Sequence, residues 1–209
     1  MQDTKPRLIA ENLSCIRDDR VLFEALSFAV KEGQVLLLEG QNGSGKTSLL
    51  RILCGFRESD EGNIYWRGET IHHQYYNDMV YVGHLDGIKK ELTVQENLRL
   101  ALALGQPGKL SIDQALAKVA LSGYNDTLVQ ALSAGQKRRL SLARLLITNN
   151  ILWILDEPFT SLDKQGISLI ESLMAEHCVQ GGMIVMTSHH DVNLRAIDVI
   201  KIRLSDGYV

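Results

Sequence analysis

Between positions 40 and 48 the chain reads Gly40, Gln41, Asn42, Gly43, Ser44, Gly45, Lys46, Thr47, Ser48, which matches the phosphate-binding loop pattern. Glycines at this spacing let backbone amides turn inward around phosphate oxygens, and the positive end of a following helix adds to the attraction. In that pattern Lys46 reaches the β and γ phosphates and the Thr47 hydroxyl is a ligand of Mg²⁺. Taken alone the loop speaks for a nucleotide and leaves the reaction open. The plain alternative is a Gly-rich turn that caps a helix.

A second constellation lies at Ile151 to Leu155, an apolar run that ends in Asp156 and Glu157. A strand of this kind delivers an acid to a metal at the carboxyl edge of a parallel sheet. Asp156 is expected to hold Mg²⁺ through water. Glu157 points elsewhere, because side chains alternate along a strand, and is placed to polarise an attacking water as general base. That carboxylate argues for hydrolysis over binding alone, against the alternative of a charged turn before Pro158. Upstream, Leu132 to Gln136 precedes Lys137, Arg138, Arg139 and an apolar helix. Ser133 reads as an N-cap and Gln136 as its capping-box partner. A helix start with a serine and a small Ala134-Gly135 pair is also a phosphate receptor.

The elements that must position these groups can be read around them. LIAENL, VLF and LSFAV, within the first thirty residues, read as strands of an antiparallel piece. Gln34 to Glu39 is a buried strand, followed by the Gly-rich turn and a helix from about Lys46 to Cys54 closed by Gly55. Strands are expected at Gly62 to Trp66 and Met79 to Val82, with a polar surface excursion between them holding His72, His73, Tyr75 and Tyr76. Thr93 to Ala120 turns helical, with capping boxes at Thr93 to Glu96 and Ser111 to Gln114 and a break at Gly105 to Gly108. A helix from about Gln136 to Ile147 leads into the Asp156 strand. Then come a helix at Lys164 to His177, a strand at Met183 to Thr187, a short helix around Asp191 to Ala196 and a strand at Val199 to Leu204.

Composition narrows the function class. The 209 residues suit one α/β domain. A net charge of −3 and pI near 6.1 give no basic face for a nucleic-acid backbone, so no nucleic-acid partner is expected. Cys15, Cys54 and Cys178 share no close spacing and read as reduced core thiols, not a disulfide framework or zinc site. The stretch MQDTKPRLIAENL has acids and a proline where an export leader would be apolar. No apolar run approaches the roughly 20 residues that cross a bilayer, so any membrane crossing falls to a partner.

The segment Leu132 to Gln136, lying before the Asp156-Glu157 strand, resembles the signature motif of the ABC transporter ATPases, and the resemblance covers essentially the whole chain. It implies an α/β fold of the P-loop NTPase type: an ABC nucleotide-binding domain with a mostly parallel core sheet, an antiparallel β piece and a helical subdomain. Its boundaries are expected to be a single domain over 1–209 with the helical subdomain at roughly 84–145. It further implies ATP with Mg²⁺ and a head-to-tail homodimer. Each ATP would lie between the phosphate loop of one subunit and Ser133, Gly135 and Gln136 of the other. Thr160 to Asp163 resembles the family's D-loop. His189, after the strand Met183 to Thr187, resembles its switch histidine, expected to contact the γ-phosphate and attacking water beside Lys46 and Glu157. His190 is adjacent and less favoured.

The chain departs from the family at two positions. No aromatic for stacking on adenine occurs in Ile16 to Arg20, and Arg17 is expected to stack there by its guanidinium plane. His84 stands where the family has a glutamine that senses Mg²⁺ and the membrane partner, and joins Thr47 and Asp156 as a metal-site candidate. Tyr81 to Thr93, with Arg17 to Phe23, Gly45 to Arg51 and Ile64 to Gly68, resembles the haem-exporter ATPases of cytochrome c maturation. That implies integral membrane partners of the Ccm system and a peripheral place on the cytoplasmic face of the bacterial inner membrane. The ATP-driven task would be handling of haem or release of a haem-loaded periplasmic chaperone. Without a Cys-x-x-Cys-His motif, His72, His73 and Cys178 are given no haem role. The alternative is an ABC exporter of a lipid, peptide or drug. Soluble ABC proteins, a non-hydrolysing subunit and a phosphate-loop kinase fit poorly, respectively for want of a second cassette, because Glu157 is present and because the signature is present.

Overall fold

The computed structural model describes residues 7–194 and 197–204. Its chain begins as a hairpin of β1 (Leu8–Arg17) and β2 (Arg20–Val30). The two-residue turn has Asp18 at φ 50° and Asp19 at φ 61°, the doubly left-handed geometry whose twist suits a tight hairpin and which aspartate tolerates. VLF and LSFAV are one strand, because the extra residues are taken up in register shifts, and the Ala25 amide donates to Ser14 Oγ at 3.2 Å. With β4 (Glu61–Trp66) and β5 (Glu69–Thr70) these strands form an antiparallel sheet ordered β2-β1-β4-β5.

The second sheet holds β3 (Gln34–Glu39), β6 (Met79–Val82), β7 (Leu152–Leu155), β8 (Met183–Thr187) and β9 (Asp198–Arg203), ordered β6-β7-β8-β3-β9. All its neighbouring strands run parallel. It is covered on both faces, which is why β3, β7 and β8 are nearly continuous apolar runs. Val35 and Leu37 pack on one side with Ile184, Met186 and Leu155. Leu36 and Leu38 pack on the other with Ile154 and Val185.

Helices α1 (Lys46–Leu53) and α2 (His73–Asp78) lie with the antiparallel sheet on the second side. On the first side are α3 (Val94–Leu104), α4 (Ile112–Lys118), α5 (Ala134–Ile147) and α6 (Lys164–Val179). Thr93, Ser111 and Ser133 cap α3, α4 and α5 with both halves of a capping box formed.

Two expectations are corrected. The stretch around Tyr75 is not a mere surface excursion: Tyr75 is fully buried and its hydroxyl donates to the Leu53 carbonyl at 2.6 Å. A phenol can enter a core when its hydroxyl finds an acceptor, here the last turn of α1. Residues 191–194 are not helical, and the rest of the expected helix, 195–196, lies outside the described residues.

Candidate functional site

Parallel register aligns the carboxyl ends of the central strands: Leu38 faces Thr187, Leu155 faces Met186 and Val82 faces Leu155. The segments after β3, β6, β7 and β8 therefore emerge along one edge, where sheets of this kind bind ligands. The loop after β3 turns tightly into α1. Gly40 has φ +148°, and a Cβ there would sit 2.6 Å from the Leu204 carbonyl oxygen. Gly45 has φ +96°, and a Cβ there would press on Leu22 at 3.0 Å. Lys46 is 7% exposed, and its ammonium donates to the carbonyls of Gly40 at 2.7 Å and Gln41 at 2.9 Å. The first turn of α1 holds no acid, which leaves its positive end to attract an anion.

Asp156 is 3% exposed and tied on both oxygens. Thr47 Oγ1 donates to Oδ2 at 3.0 Å and Thr187 Oγ1 to Oδ1 at 2.7 Å. Glu157 adopts φ 50°, so the chain reverses and its amide donates to the same Thr187 hydroxyl at 2.9 Å. Glu157 Oε2 accepts from the His189 amide at 3.2 Å. Oε1 is buried without a hydrogen-bond partner, and His189 Nε2 lies 3.5 Å from it. A buried carboxylate oxygen left in this way is an acceptor that a substrate or water would satisfy.

These groups surround a cavity of about 730 Å³, the size of an ordinary small-molecule site. Asn42, Gly43, Gly45, Lys46, Thr47 and Ser48 line one part, and Asp156, Glu157, Thr160, His84 and His189 another. Arg17, Asp18, Arg20 and Leu22 from the hairpin close the remainder. Arg17 carries an ion pair with Asp18 at 3.3 Å. Ser44 is buried within the turn, while Gly40, Gln41 and Asn42 border a smaller recess beside His189. His190 turns its ring edge toward Phe159. Thr47 Oγ1 and Asp156 Oδ2 are hard oxygen donors of the type Mg²⁺ takes, and His84 lines the same cavity.

Ser133, Gly135, Gln136 and Asp163 do not line this cavity. Ser133 is exposed at the start of α5, its hydroxyl accepting from the Gln136 amide at 3.2 Å while Gln136 Oε1 accepts from the Ser133 amide at 2.8 Å. Gly135 is needed by close approach, since a Cβ would lie 2.9 Å from the Ser161 carbonyl oxygen. Asp163 caps α6 through the Gly166 amide at 2.8 Å.

Two site residues escape the sequence reading. Thr187 left a trace, a hydroxyl ending an apolar strand. Arg138 left none among three consecutive basic residues, yet it is 3% exposed. Its guanidinium donates to the carbonyls of Gly83, Asp156, Glu157 and Pro158.

Comparison with known proteins agrees with this architecture. The family model described as ABC transporter matches residues 23–160. A cytochrome c biogenesis ATP-binding export protein CcmA of Methylococcus capsulatus is 50% identical over 193 residues, covering 90% of this chain and 93% of that protein. The protein of the same name from Aliivibrio fischeri is 45% identical over 199 residues, covering 93% and 98% respectively. Among solved structures, an ATP-binding cassette of an ABC transporter in its ADP conformation superposes with TM-score 0.80 at 26% identity, over 95% of this chain and 88% of that one. A putative ABC transporter ATP-binding protein from Pyrococcus furiosus gives TM-score 0.82 at 24% identity, over 95% and 97%, a likeness of fold. A phosphate loop, a paired acid and a signature helix on this fold, with relatives of this identity along nearly the whole chain, lead to one conclusion: the chain belongs to the ABC transporter ATPase family, among the cytochrome c biogenesis ATP-binding export proteins.

Proposed function

We propose that this chain is the ATP-hydrolysing subunit of an ABC exporter serving cytochrome c biogenesis, with Glu157 as general base. The observation that carries the hydrolytic reading is the unpartnered Oε1 of Glu157 beside His189, in the cavity that Lys46 and Thr47 line. Lys46 and the loop amides hold the phosphates, and Arg17 stacks on the adenine. Thr47 and Asp156 would hold Mg²⁺, which would neutralise phosphate charge. Glu157 takes a proton from the attacking water as the water oxygen bonds to the terminal phosphorus and the bond from that phosphorus to the bridging oxygen breaks, giving ADP and phosphate. His189 orients that water.

Two copies close head to tail, so that Ser133, Gly135 and Gln136 of one complete the site of the other. The exposure of Ser133 and its place outside the lining of the Lys46 cavity support this. No helix among the described residues is long and apolar enough to cross a membrane; in this reading separate subunits supply the crossing, and the chain sits peripherally on the cytoplasmic face of the inner membrane. Within one domain over 1–209, residues 84–145 form the helical subdomain that moves with those partners. The relatives' shared name supports export for cytochrome c biogenesis, and the species handled in this reading is haem or a haem-loaded chaperone.

The test is to replace the chain in cells by Lys46→Ala and measure both cytochrome classes. Loss of covalent haem from c-type cytochromes with b-type cytochromes intact is the expected result. Normal c-type cytochromes would sink the biogenesis assignment, and full ATPase activity in Glu157→Gln would sink the base.

A further inference from the structure

We infer that Arg138 is a positioning residue for hydrolysis, holding the turn that aims Glu157 and tying that turn to the segment carrying His84. The inference rests on the reading of Glu157 as base.

The geometry uses the whole guanidinium. Nε donates to the Pro158 carbonyl at 3.1 Å. Nη1 donates to the Gly83 carbonyl at 2.9 Å and to Asp86 Oδ1 at 3.3 Å. Nη2 donates to the carbonyls of Asp156 at 2.9 Å and Glu157 at 2.7 Å. An arginine has five N–H donors in a fixed planar fork, and each has its own acceptor here. Burial pushes the pKa of Arg138 down, and the neighbouring Asp86, then Asp156 and Glu157, push it back up, so the cation is kept by the acceptors around it.

What the fork grips makes it more than a core staple. Three of its acceptors are consecutive carbonyls, 156 to 158, centred on a residue at φ 50°. A non-glycine residue holds that conformation at a cost. The same reversal sends the Glu157 amide to Thr187 and its carboxylate to His189. Arg138 holds the carbonyl side of the turn while Thr187 holds its amide side, and the carboxylate direction is set between them. The remaining acceptors, Gly83 and Asp86, flank His84 and Leu85, and Leu85 is 84% exposed. Arg144, further along the same helix, places Nη1 3.4 Å from the Asp86 carbonyl and 3.3 Å from that of Gly87. Helix α5 is therefore the common anchor of the His84 segment and the Glu157 turn, and Ser133 caps its start. A displacement of either end of this unit moves the base.

The test uses the full chain assembled with its membrane subunits in vesicles, with steady-state ATPase read against Mg-ATP concentration and melting followed in parallel. Arg138→Lys keeps the charge and loses the fork. It is expected to lower kcat on the order of 10²-fold, the cost of misplacing a catalytic group by about an ångström, with KM within about threefold. Asp86→Asn keeps the carbonyl contacts, loosens only the His84 side and is expected to lower kcat about threefold to tenfold at unchanged KM. A kcat for Arg138→Lys within about twofold of the parent overturns the proposal. So does a loss that follows the melted fraction or falls equally on Mg-ATP affinity. Glu157→Gln is run beside them: if it is inactive while Arg138→Lys is active, only the positioning role falls. If Glu157→Gln is itself active, the base assignment falls and this inference with it.

Discussion

The Thr187 hydroxyl donates to Asp156 Oδ1 at 2.7 Å and accepts from the Glu157 amide at 2.9 Å. One buried side chain from β8 thus fixes both acids that end β7, and the hydroxyl's single proton is committed to the carboxylate. Thr187→Val keeps the shape and removes the relay. Leaving Asp156 Oδ1 without its donor costs about 1–3 kcal/mol. ATPase activity is expected to fall roughly tenfold or more, since proton-transfer geometry contributes about 10²–10⁴-fold. Thr187→Ser should recover most of the loss, and an active Thr187→Val would refute the relay.

Gly135 tests the start of α5 without touching the Lys46 cavity. Gly135→Ala sets a methyl 2.9 Å from the Ser161 carbonyl oxygen, backbone that cannot swing aside, at a cost of about 1–3 kcal/mol. ATPase turnover should drop while nucleotide affinity of the isolated chain stays the same, as measured by titration. Ala134→Gly, at the exposed neighbour, is the control, and equal effects from the two would contradict the close-approach argument.

Tyr75→Phe removes the donor to the Leu53 carbonyl and leaves the ring buried. A loss of about 1–2 kcal/mol is expected, or a fall of about 2–8 °C in melting midpoint for a chain of this size. KM for ATP should not change. Calorimetry that finds no shift would mean water replaces the hydroxyl.

His177 supplies a pH dependence. Its ring stacks on Trp153 with centroids 3.7 Å apart and planes 9° apart, and Nε2 faces the Ile151 carbonyl oxygen at 3.2 Å, so Nε2 carries the proton. Burial lowers its pKa from 6.5 to about 4, against the raising effect of backbone contacts with Ile151 and Met183. Above pH 6.5 neither state is protonated and the group contributes nothing. Between pH 6.5 and 4 the unfolded chain takes up a proton that the folded one refuses, so stability falls with pH by about 3 kcal/mol in all. Unfolding titrations over this window should show the decline, and His177→Phe should flatten it. A decline unchanged in His177→Phe would assign it to carboxylates.

The sequence by itself determined whatever is written in contiguous residues. The loop from Gly40 to Thr47, the apolar run closed by Asp156 and Glu157, and the capping boxes at Thr93, Ser111 and Ser133 depend on neighbours within a few positions, and spacing alone exposes them. Burial on both faces likewise marked β3, β7 and β8 as strands. The tertiary structure decided which of these segments meet. Strand order β6-β7-β8-β3 sets Thr187 beside Asp156 and brings Gly83 and the Glu157 turn within reach of one guanidinium. It also selected Arg138 from three adjacent basic residues and drew Tyr75 inward, because only a folded core supplies the acceptors that let a buried guanidinium or phenol give up water. Local motifs carry their own partners in sequence, whereas buried polar groups borrow theirs from strands far along the chain.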